Sequence, residues 1–250
     1  MYERRKMNFS DLWIVNELKR TLIEHDRYKM YIEGFLNTLK ITGGALVIGV
    51  IIGIIVAAIR TSYDKNKETL KIKGGFGYGL LSVVNGICKV YLTIIRGTPV
   101  MVQLMILYFA VFASSSNGVL VAIIGFGINS GAYVAEIFRA GIMSIDAGQF
   151  EAGRSIGFNY FQTMRYIIIP QMFKAVLPTL LNEVIALLKE TSVAGYVGAE
   201  ELTKKGNIVA GRIFEYFVPL GIVAIIYLVM VLILTALVGR LERRLRKNER

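Results

Sequence analysis

EAGRSIGFNYFQTMRYIIIP, residues 151–170, is a polar and glycine-punctuated segment of a chain that is otherwise very apolar. Residues 149–155 favour a short helix, and Gly157 permits the sharp backbone turn that would end it. Residues 158–166 favour a second helix, because their apolar side chains recur at helical spacing. The segment therefore predicts a helix–turn–helix, which is followed at once by the apolar residues 167–188.

Four other runs of the chain share the apolar character and the low charge of residues 167–188. A helix needs roughly 20 apolar residues to cross a bilayer. The five runs are residues 41–59, 80–112, 119–135, 167–188 and 214–238. The second run contains RGTP at residues 96–99, where glycine and proline favour a bend. The expected fold class is an all-α membrane protein with about five transmembrane helices.

The basic residues indicate how the chain lies in the membrane. The net charge is +11, which is typical of nucleic-acid binding or of attachment to an inner membrane face. Because the basic residues 240–250 directly follow the last apolar run, the membrane is favoured and nucleic acid is not. Residues 60–73 are also polar and basic, and they predict a loop on the same side. The positive-inside rule makes this side cytoplasmic, together with the helix–turn–helix and the C-terminus, and five spans place the N-terminus outside.

Residues 1–30 form a charged extension before a transmembrane domain that comprises residues 31–250. Apolar side chains recur every three or four positions at Phe9, Leu12, Val15, Leu18 and Leu22. This pattern is typical of an amphipathic helix at the membrane surface. A solvated extracytoplasmic extension fits the same sequence equally well.

Histidine and cysteine, two residue types that often carry catalysis or bind metals, are scarce in this chain. His25 and Cys88 are the only residues of their types. No disulfide within the chain and no metal site is therefore expected, since a metal site needs several ligands. The absence of a nucleophile–base cluster from the sequence also argues against an intramembrane enzyme.

The helix–turn–helix segment resembles the EAA motif of ABC importer permeases. That motif reads Glu-Ala-Ala, three residues, Gly, nine residues, Ile, any residue, Leu and Pro, and the spacing here matches throughout. The identical positions are Glu151, Ala152, Gly157, Ile167 and Pro170. Gly153 replaces the second alanine, which we expect to loosen the helix by roughly 0.5–1 kcal/mol. Ile169 replaces the leucine.

Three further motifs resemble the polar amino acid uptake branch of the same family. They are RGTP at residues 96–99 followed by Gln103, GAYVAEIFR at residues 131–139, and LLKETS at residues 187–192. With the EAA-like segment, the resemblance extends from about Gly34 to the C-terminus. It implies the type I ABC importer permease fold, with a cytoplasmic coupling helix.

The resemblance also implies partners in a prokaryotic plasma (inner) membrane. Two permease subunits would pair, as a homodimer or as a heterodimer, and a cytoplasmic ABC ATPase dimer would bind their coupling helices. An extracytoplasmic amino-acid-binding protein would deliver the substrate. The chain has no Walker-type glycine–lysine loop. ATP and Mg²⁺ would therefore belong to the ATPase, and the chain itself is expected to be no enzyme and to need no cofactor.

Five residues of the EAA-like segment are implied in coupling to the ATPase. Glu151 would accept hydrogen bonds or pair with a basic residue of the ATPase, and Arg154 would form a surface ion pair. Ala152 and Gly153 would let the ATPase approach closely, and Gly157 would allow the turn.

Four residues are candidates for the substrate pathway. Asn182 and Glu183 lie inside the fourth run, where an ionisable side chain usually has a task or a partner. Glu183 would balance the charge of a cationic amino acid and Asn182 would bond its backbone groups. Alternatively, Glu183 would pair with Lys189 or with a partner subunit. Thr191 and Ser192 resemble the family's gate region.

The charged side chains of residues 200–205 predict a solvated face that meets the binding protein. They are Glu200, Glu201, Lys204 and Lys205.

A different function, an ATPase-independent secondary transporter or channel, also fits an apolar chain. Such a protein would need paired intramembrane ions or an inverted repeat. Neither is evident in the sequence.

Overall fold

The computed structural model describes residues 13–73 and 76–247, which form helices and no strand. The α-helices of this part of the chain are α1 (Trp13–Leu22), α2 (Tyr28–Lys73), α3 (Phe76–Gly97), α4 (Val100–Ile106), α5 (Gly118–Met143), α6 (Ala147–Ser155), α7 (Tyr160–Thr163), α8 (Ile169–Glu190), α9 (Leu202–Ile213) and α10 (Phe217–Lys247). Turns of π-helix follow α4 at Leu107–Val111 and α7 at Met164–Ile168, and a 3₁₀-helix follows α8 at Thr191–Val197.

Five of the described helical segments are long and apolar enough to cross a membrane, which confirms the predicted number. They are Glu24–Lys65, Gly77–Gly97, Gly118–Met143, Tyr160–Val197 and Phe217–Arg244. The predicted bend is also confirmed, because α3 ends at Gly97 and Pro99 immediately precedes α4. Gln103 stabilises the bend: its amide nitrogen donates to the carbonyl oxygens of Ile95 at 2.8 Å and Thr98 at 3.0 Å.

α2 and α5 pack side by side and run in the same direction. Gly44 of α2 lies beside Ile123 of α5. Gly53, which is later in α2, lies beside Val134, which is later in α5. A Cβ atom at Gly53 would be 2.4 Å from Cγ1 of Val134. Glycine therefore lets the two helices approach closely, as small residues do between membrane helices.

α8 packs against α5 in the opposite direction, and this antiparallel packing defines two ends of the bundle. One end holds the segment α6–α7 (residues 147–163), hereafter the hairpin, and is called the hairpin end. The start of α5 and all of α9 lie at the distal end, where Gly118 packs against the backbone of Gly198 and Gly34 against that of Leu202.

The predicted loop at residues 60–73 is wrong, because α2 continues as one helix of 46 residues through Lys73. At about 1.5 Å per residue, such a helix is far longer than the roughly 30 Å of hydrocarbon in a bilayer. The residues beyond the apolar run contain neither glycine nor proline. A loss of hydrophobicity ends burial in lipid, but it does not end a helix made of good helix formers.

The predicted amphipathic helix is present as α1 within the described residues, while Phe9 and Leu12 lie outside them. α1 packs against α9 and α10. Its most buried side chains are the polar Glu17, at 7% exposure, and Thr21, at 0%, rather than the apolar residues of the predicted face. A carboxylate oxygen of Glu17 accepts a hydrogen bond from Arg20 at 2.7 Å.

Candidate functional site

The hairpin has the helix–turn–helix form that its sequence predicts. Asp146 caps α6 by accepting a hydrogen bond from the Gly148 amide. The chain then turns at Gly157, whose φ of +85° is a conformation that favours glycine. Asn159 starts α7 with a capping box, in which its side chain and that of Gln162 each accept the other's backbone N–H at 2.9 Å. Both arms of the hairpin are thus fixed by local hydrogen bonds.

Gly153 lies on the inner side of the hairpin, so the prediction that it leaves room for another protein is wrong. It is buried, and a Cβ atom there would be 2.7 Å from Cγ2 and Oγ1 of Thr163 on the other arm. Thr163 is itself fixed, because its hydroxyl donates to the carbonyl oxygen of Asn159 at 3.0 Å. The small size of Gly153 lets the two arms close on each other.

The outer surface of the hairpin carries three of the predicted residues, Glu151, Ala152 and Arg154, all exposed. Glu151 and Arg154 line a surface recess of about 330 Å³. Its other walls are formed by Lys65, Ala147, Phe150, Tyr160 and Thr163. The recess is open to any partner that binds the hairpin.

The inner surface of the hairpin packs into the helix bundle. Phe150 of α6 and Met164 beyond α7 join a cluster that includes Phe138 and Ile142 of α5 and Met172 of α8. The hairpin is therefore continuous with two spanning helices. Its apolar side chains and those of α5 and α8 form one packed cluster.

Glu136 and Arg139 of α5 form an ion pair, with 3.5 Å between Oε2 and Nε. The structure extends this pair to other helices. Arg139 also lies 3.3 Å from Asp64 of α2, and Glu136 lies 3.9 Å from Arg96 of α3. The Arg96 guanidinium packs 5.7 Å from the centre of the Tyr133 ring. This charge network joins three helices near the hairpin end.

The predicted pathway residues Asn182 and Glu183 lie on α8. Asn182 is exposed, whereas Glu183 is half-buried and accepts a hydrogen bond from the Ser130 hydroxyl of α5 at 3.0 Å. No described side chain places a cation within 4.0 Å of the Glu183 carboxylate, so Glu183 does not form the alternative pair with Lys189. Ser130 was not predicted. A small polar side chain in an apolar run was the signal that could have identified it.

Thr191 and Ser192 do not join Asn182 and Glu183 in one site. Thr191 is fully buried and its hydroxyl donates to the Leu188 carbonyl oxygen at 2.7 Å. It lies roughly 13 Å along the helix axis from Asn182. Ser192 lines a different pocket of about 520 Å³ at the distal end, whose other polar side chains are Tyr196, Glu201, Thr203, Lys204, Asn207 and Tyr216.

The prediction of a fully solvated face at residues 200–205 is wrong for Glu201 and Lys205. Glu201 is 0% exposed and caps α9 by accepting from the amides of Thr203 at 2.6 Å and Lys204 at 2.7 Å. Burial raises the pKa of its carboxyl group, although these hydrogen bonds and one from the Tyr227 hydroxyl oppose the rise.

Lys205, at 8% exposure, lies between two carboxylates and ties α9 to α2. Its ammonium is 2.9 Å from Glu33 and 2.7 Å from Glu200. Burial works to lower the pKa of Lys205, but the hydrogen bonds to the two carboxylates outweigh it and raise the pKa. The hydrogen bond from Lys205 lowers the pKa of Glu200. Only Glu200 and Lys204 remain exposed, as predicted.

Among the described residues, no three His, Cys, Asp or Glu side chains are grouped so that they could hold a metal ion.

Comparison with known proteins gives a consistent result. Residues 74–247 match the family model described as "Binding-protein-dependent transport system inner membrane component". The chain is 35% identical to the glutamine transport system permease GlnP of Escherichia coli over 222 residues, which are 87% of this chain and 93% of GlnP. It is 33% identical to the arginine transport system permease ArtQ of Bacillus subtilis, again covering 87% of this chain and 93% of the relative.

Solved structures agree with the sequence relatives. A crystal structure of an amino acid ABC transporter with histidines superimposes with a TM-score of 0.76 at 36% identity, covering 92% of this chain and 98% of that one. The inward-facing methionine transporter MetNI superimposes with a TM-score of 0.71 at 20% identity, covering 89% of this chain and 99% of that one, and shares the fold.

Proposed function

Because the chain belongs to the family of binding-protein-dependent transport system inner membrane components, we propose that it is the permease subunit of an ATP-driven amino acid importer whose hairpin is moved by a separate ATPase. The observation that carries this proposal is the hairpin itself. It presents Glu151, Ala152 and Arg154 outward at the spacing of the EAA motif, while its inner side packs against α5 and α8.

The chain is a multi-pass inner-membrane protein, and we propose the orientation that its charges favour. The hairpin end faces the cytoplasm and the N-terminus lies outside. α10 begins beside α9 at the distal end, and its last turns carry Arg240, Arg243 and Arg244. Basic residues at that end agree with the positive-inside rule.

The partners follow from the family, whose members are the membrane components of binding-protein-dependent systems. Two copies of the ATPase bind the hairpins of two permease subunits, which are identical or related. ATP and Mg²⁺ are held by the ATPase, and this chain contributes no catalytic residue to hydrolysis. An amino-acid-binding protein docks at the distal end, where Glu200 and Lys204 are exposed.

Transport then works as a switch between two states. ATP closes the ATPase dimer, and the hairpins move with it because Glu151 and Arg154 are bound there. The rigid contact of the hairpin with α5 and α8 tilts these helices and changes the side of the membrane to which the pathway is open. The nucleotide drives the switch only to the extent that it binds the two states unequally.

Glu183 and Asn182 are the proposed contacts for the amino acid within the membrane. The Ser130 hydroxyl orients the Glu183 carboxylate, which has no described cation beside it and is therefore available to a cationic substrate group. Asn182 is exposed next to it and offers an amide. Relatives named for glutamine, arginine and histidines support an amino acid with a polar side chain. Thr191 and Ser192 are proposed to act at the distal gate.

The test is reconstitution of the permease with its co-purified ATPase and binding protein in liposomes. Wild type should couple ATP hydrolysis to uptake of an amino acid. We expect Glu151→Lys to reduce the hydrolysis that the loaded binding protein stimulates by at least roughly tenfold, since it replaces an attractive contact with a repulsive one. Lys174→Glu, a charge reversal on the exposed surface of α8, provides a matched control for insertion and folding.

Two outcomes would contradict the proposal. One is stimulated hydrolysis by Glu151→Lys at the wild-type rate. The other is uptake by the permease alone, driven by an ion gradient, which would indicate a secondary transporter.

A further inference from the structure

The cytoplasmic extension of α2 packs directly against the hairpin. The Lys65 ammonium lies 4.4 Å from the centre of the Phe150 ring of α6, a distance at which a cation is attracted to an aromatic face. One turn earlier, Ser62 forms a side-chain hydrogen bond with Tyr160 of α7. α2 therefore contributes side chains to the same surface as the EAA-like motif, although it is distant from that motif in sequence.

Lys65 and the hairpin together enclose the recess of about 330 Å³. Two cationic side chains line it, Lys65 from α2 and Arg154 from α6, with one anionic side chain, Glu151. Among the side chains that the structure describes, no carboxylate lies within 4.0 Å of either the Lys65 ammonium or the Arg154 guanidinium. Two cations against one carboxylate give the lining of this recess a net positive charge.

We propose that this recess receives an acidic side chain of the ATPase subunit, and that Lys65 of α2 holds its carboxylate together with Arg154. The proposal rests on the proposed function and makes α2 a second component of the docking surface. A carboxylate between two cations forms charge-assisted hydrogen bonds, which are shorter and stronger than neutral ones. The phenyl ring of Phe150 limits the freedom of the Lys65 side chain, so less conformational entropy is lost on binding.

The consequence is a second route for transmitting motion. An ATPase that holds only α6 moves the bundle through α5 and α8. An ATPase that also holds Lys65 pulls on α2 directly. α2 packs along α5 through close contacts such as Gly53 against Val134. The first and third spans would then move as one body.

The test compares charge variants in the complete complex of permease, ATPase and binding protein in liposomes. Lys65→Glu should reduce the affinity for the ATPase and the stimulated hydrolysis by roughly five- to tenfold, because one attractive pair becomes repulsive at a partly exposed site. Lys65→Arg should keep most of the activity. Lys67→Glu makes the same charge change on an exposed neighbour that does not line the recess, and it should behave as wild type.

Equal effects of Lys65→Glu and Lys67→Glu would overturn the proposal. The loss would then come from the net charge of the α2 extension and not from a contact in the recess. Normal coupling in Lys65→Glu would also overturn it. Thermal melting separates docking from folding. A Lys65→Glu protein that binds the ATPase weakly but has an unchanged melting temperature supports the proposal. A Lys65→Glu protein whose melting temperature falls along with its affinity for the ATPase contradicts it. If Lys65→Glu is normal and Glu151→Lys is uncoupled, this inference fails alone. If both are normal, the proposed function fails as well.

Discussion

At the scale of single residues, two glycines of the hairpin meet different physical requirements. Gly157 is needed for its backbone conformation, at φ +85°. Gly153 has ordinary helical geometry and is needed for space, because Thr163 occupies the position of any side chain there. The sequence predicts the first requirement from local turn chemistry. The second depends on a residue of the other arm.

We expect Gly153→Ala to lower the free energy of unfolding by about 0.5–2 kcal/mol, because overpacking a well-packed contact costs about 1–3 kcal/mol and the better helix propensity of alanine offsets about 0.5–1 kcal/mol of it. The added Cβ atom would lie 2.7 Å from Thr163, whose branched side chain cannot rotate away freely. Thr163→Ala removes both obstructing atoms, so the double variant should recover most of the loss. Thermal unfolding of the purified permease measures this. The exposed Ala152→Ser serves as the control, and a double variant no more stable than Gly153→Ala would contradict the packing argument.

The Glu200–Lys205 pair should stabilise the distal end over a defined range of pH. In the folded protein the pKa of Glu200 is lowered from 4.5. The stability that its ionised carboxylate contributes is therefore fully present above about pH 4.5, and it is lost as the pH falls through the lower pKa of the folded state. The pKa of Lys205 is raised from 10.5 in the folded protein. The stability that its ammonium contributes is therefore fully present below pH 10.5, and it is lost as the pH rises through the higher pKa of the folded state. Because Glu200 is exposed, we expect only about 0.2–1 kcal/mol from the pair.

Thermal melting of wild type and Glu200→Gln across pH measures this pair directly. The difference in melting temperature should be constant between neutral and mildly alkaline pH and should shrink in acid below 4.5. The buried Glu201 has a raised pKa, but both proteins contain it, so its titration cancels. A difference that grows in acid would show that the pair does not stabilise the fold.

At the scale of elements, α2 is the helix that the sequence predicts least well, because its polar part was expected to be a loop. Its apolar part spans the membrane, and its polar part continues to the hairpin and to Arg139. The charge network of Asp64, Arg139, Glu136 and Arg96 connects α2, α5 and α3 near the hairpin end.

A double-mutant cycle should detect the link between α2 and α5. Asp64→Asn and Arg139→Gln each remove one charge of a pair whose side chains are 29% and 30% exposed. We expect a coupling free energy of about 0.5–1 kcal/mol in thermal or denaturant unfolding, as for partly exposed ion pairs. A cycle of Asp64→Asn with Lys174→Gln, an exposed lysine of α8, should give about zero. A coupling free energy of about zero in the first cycle as well would mean that the Asp64–Arg139 pair contributes no stability.

At the scale of the whole molecule, the parallel packing of α2 with α5 and the antiparallel packing of α8 place the hairpin and the 200–205 segment at opposite ends. This separation is what an importer needs, since its energy source and its binding protein lie on opposite sides of the membrane. It makes the orientation testable without any partner.

Cysteine labelling in a Cys88→Ala background should give opposite results at the two ends. Arg154→Cys on the hairpin should react with a membrane-impermeant maleimide only after the cells are permeabilised. Ser116→Cys, in the exposed turn before α5, should react in intact cells. The native Cys88 is buried, so its removal mainly eliminates background. The reverse pattern would place the hairpin outside and would exclude a cytoplasmic ATPase as its partner.

The sequence by itself determined the helical class, the five spans, the bend at RGTP and the form of the hairpin. These features depend on local composition: apolar length, glycine and proline, and cap residues such as Asn159. Only the tertiary structure decided that α2 continues to Lys73, that Gly153 faces Thr163, that Glu201 and Lys205 are buried, and that Ser130 meets Glu183. Helical periodicity shows which face of a helix is apolar. It does not show which other helix covers that face, because contacts between distant segments are set by how the whole bundle packs.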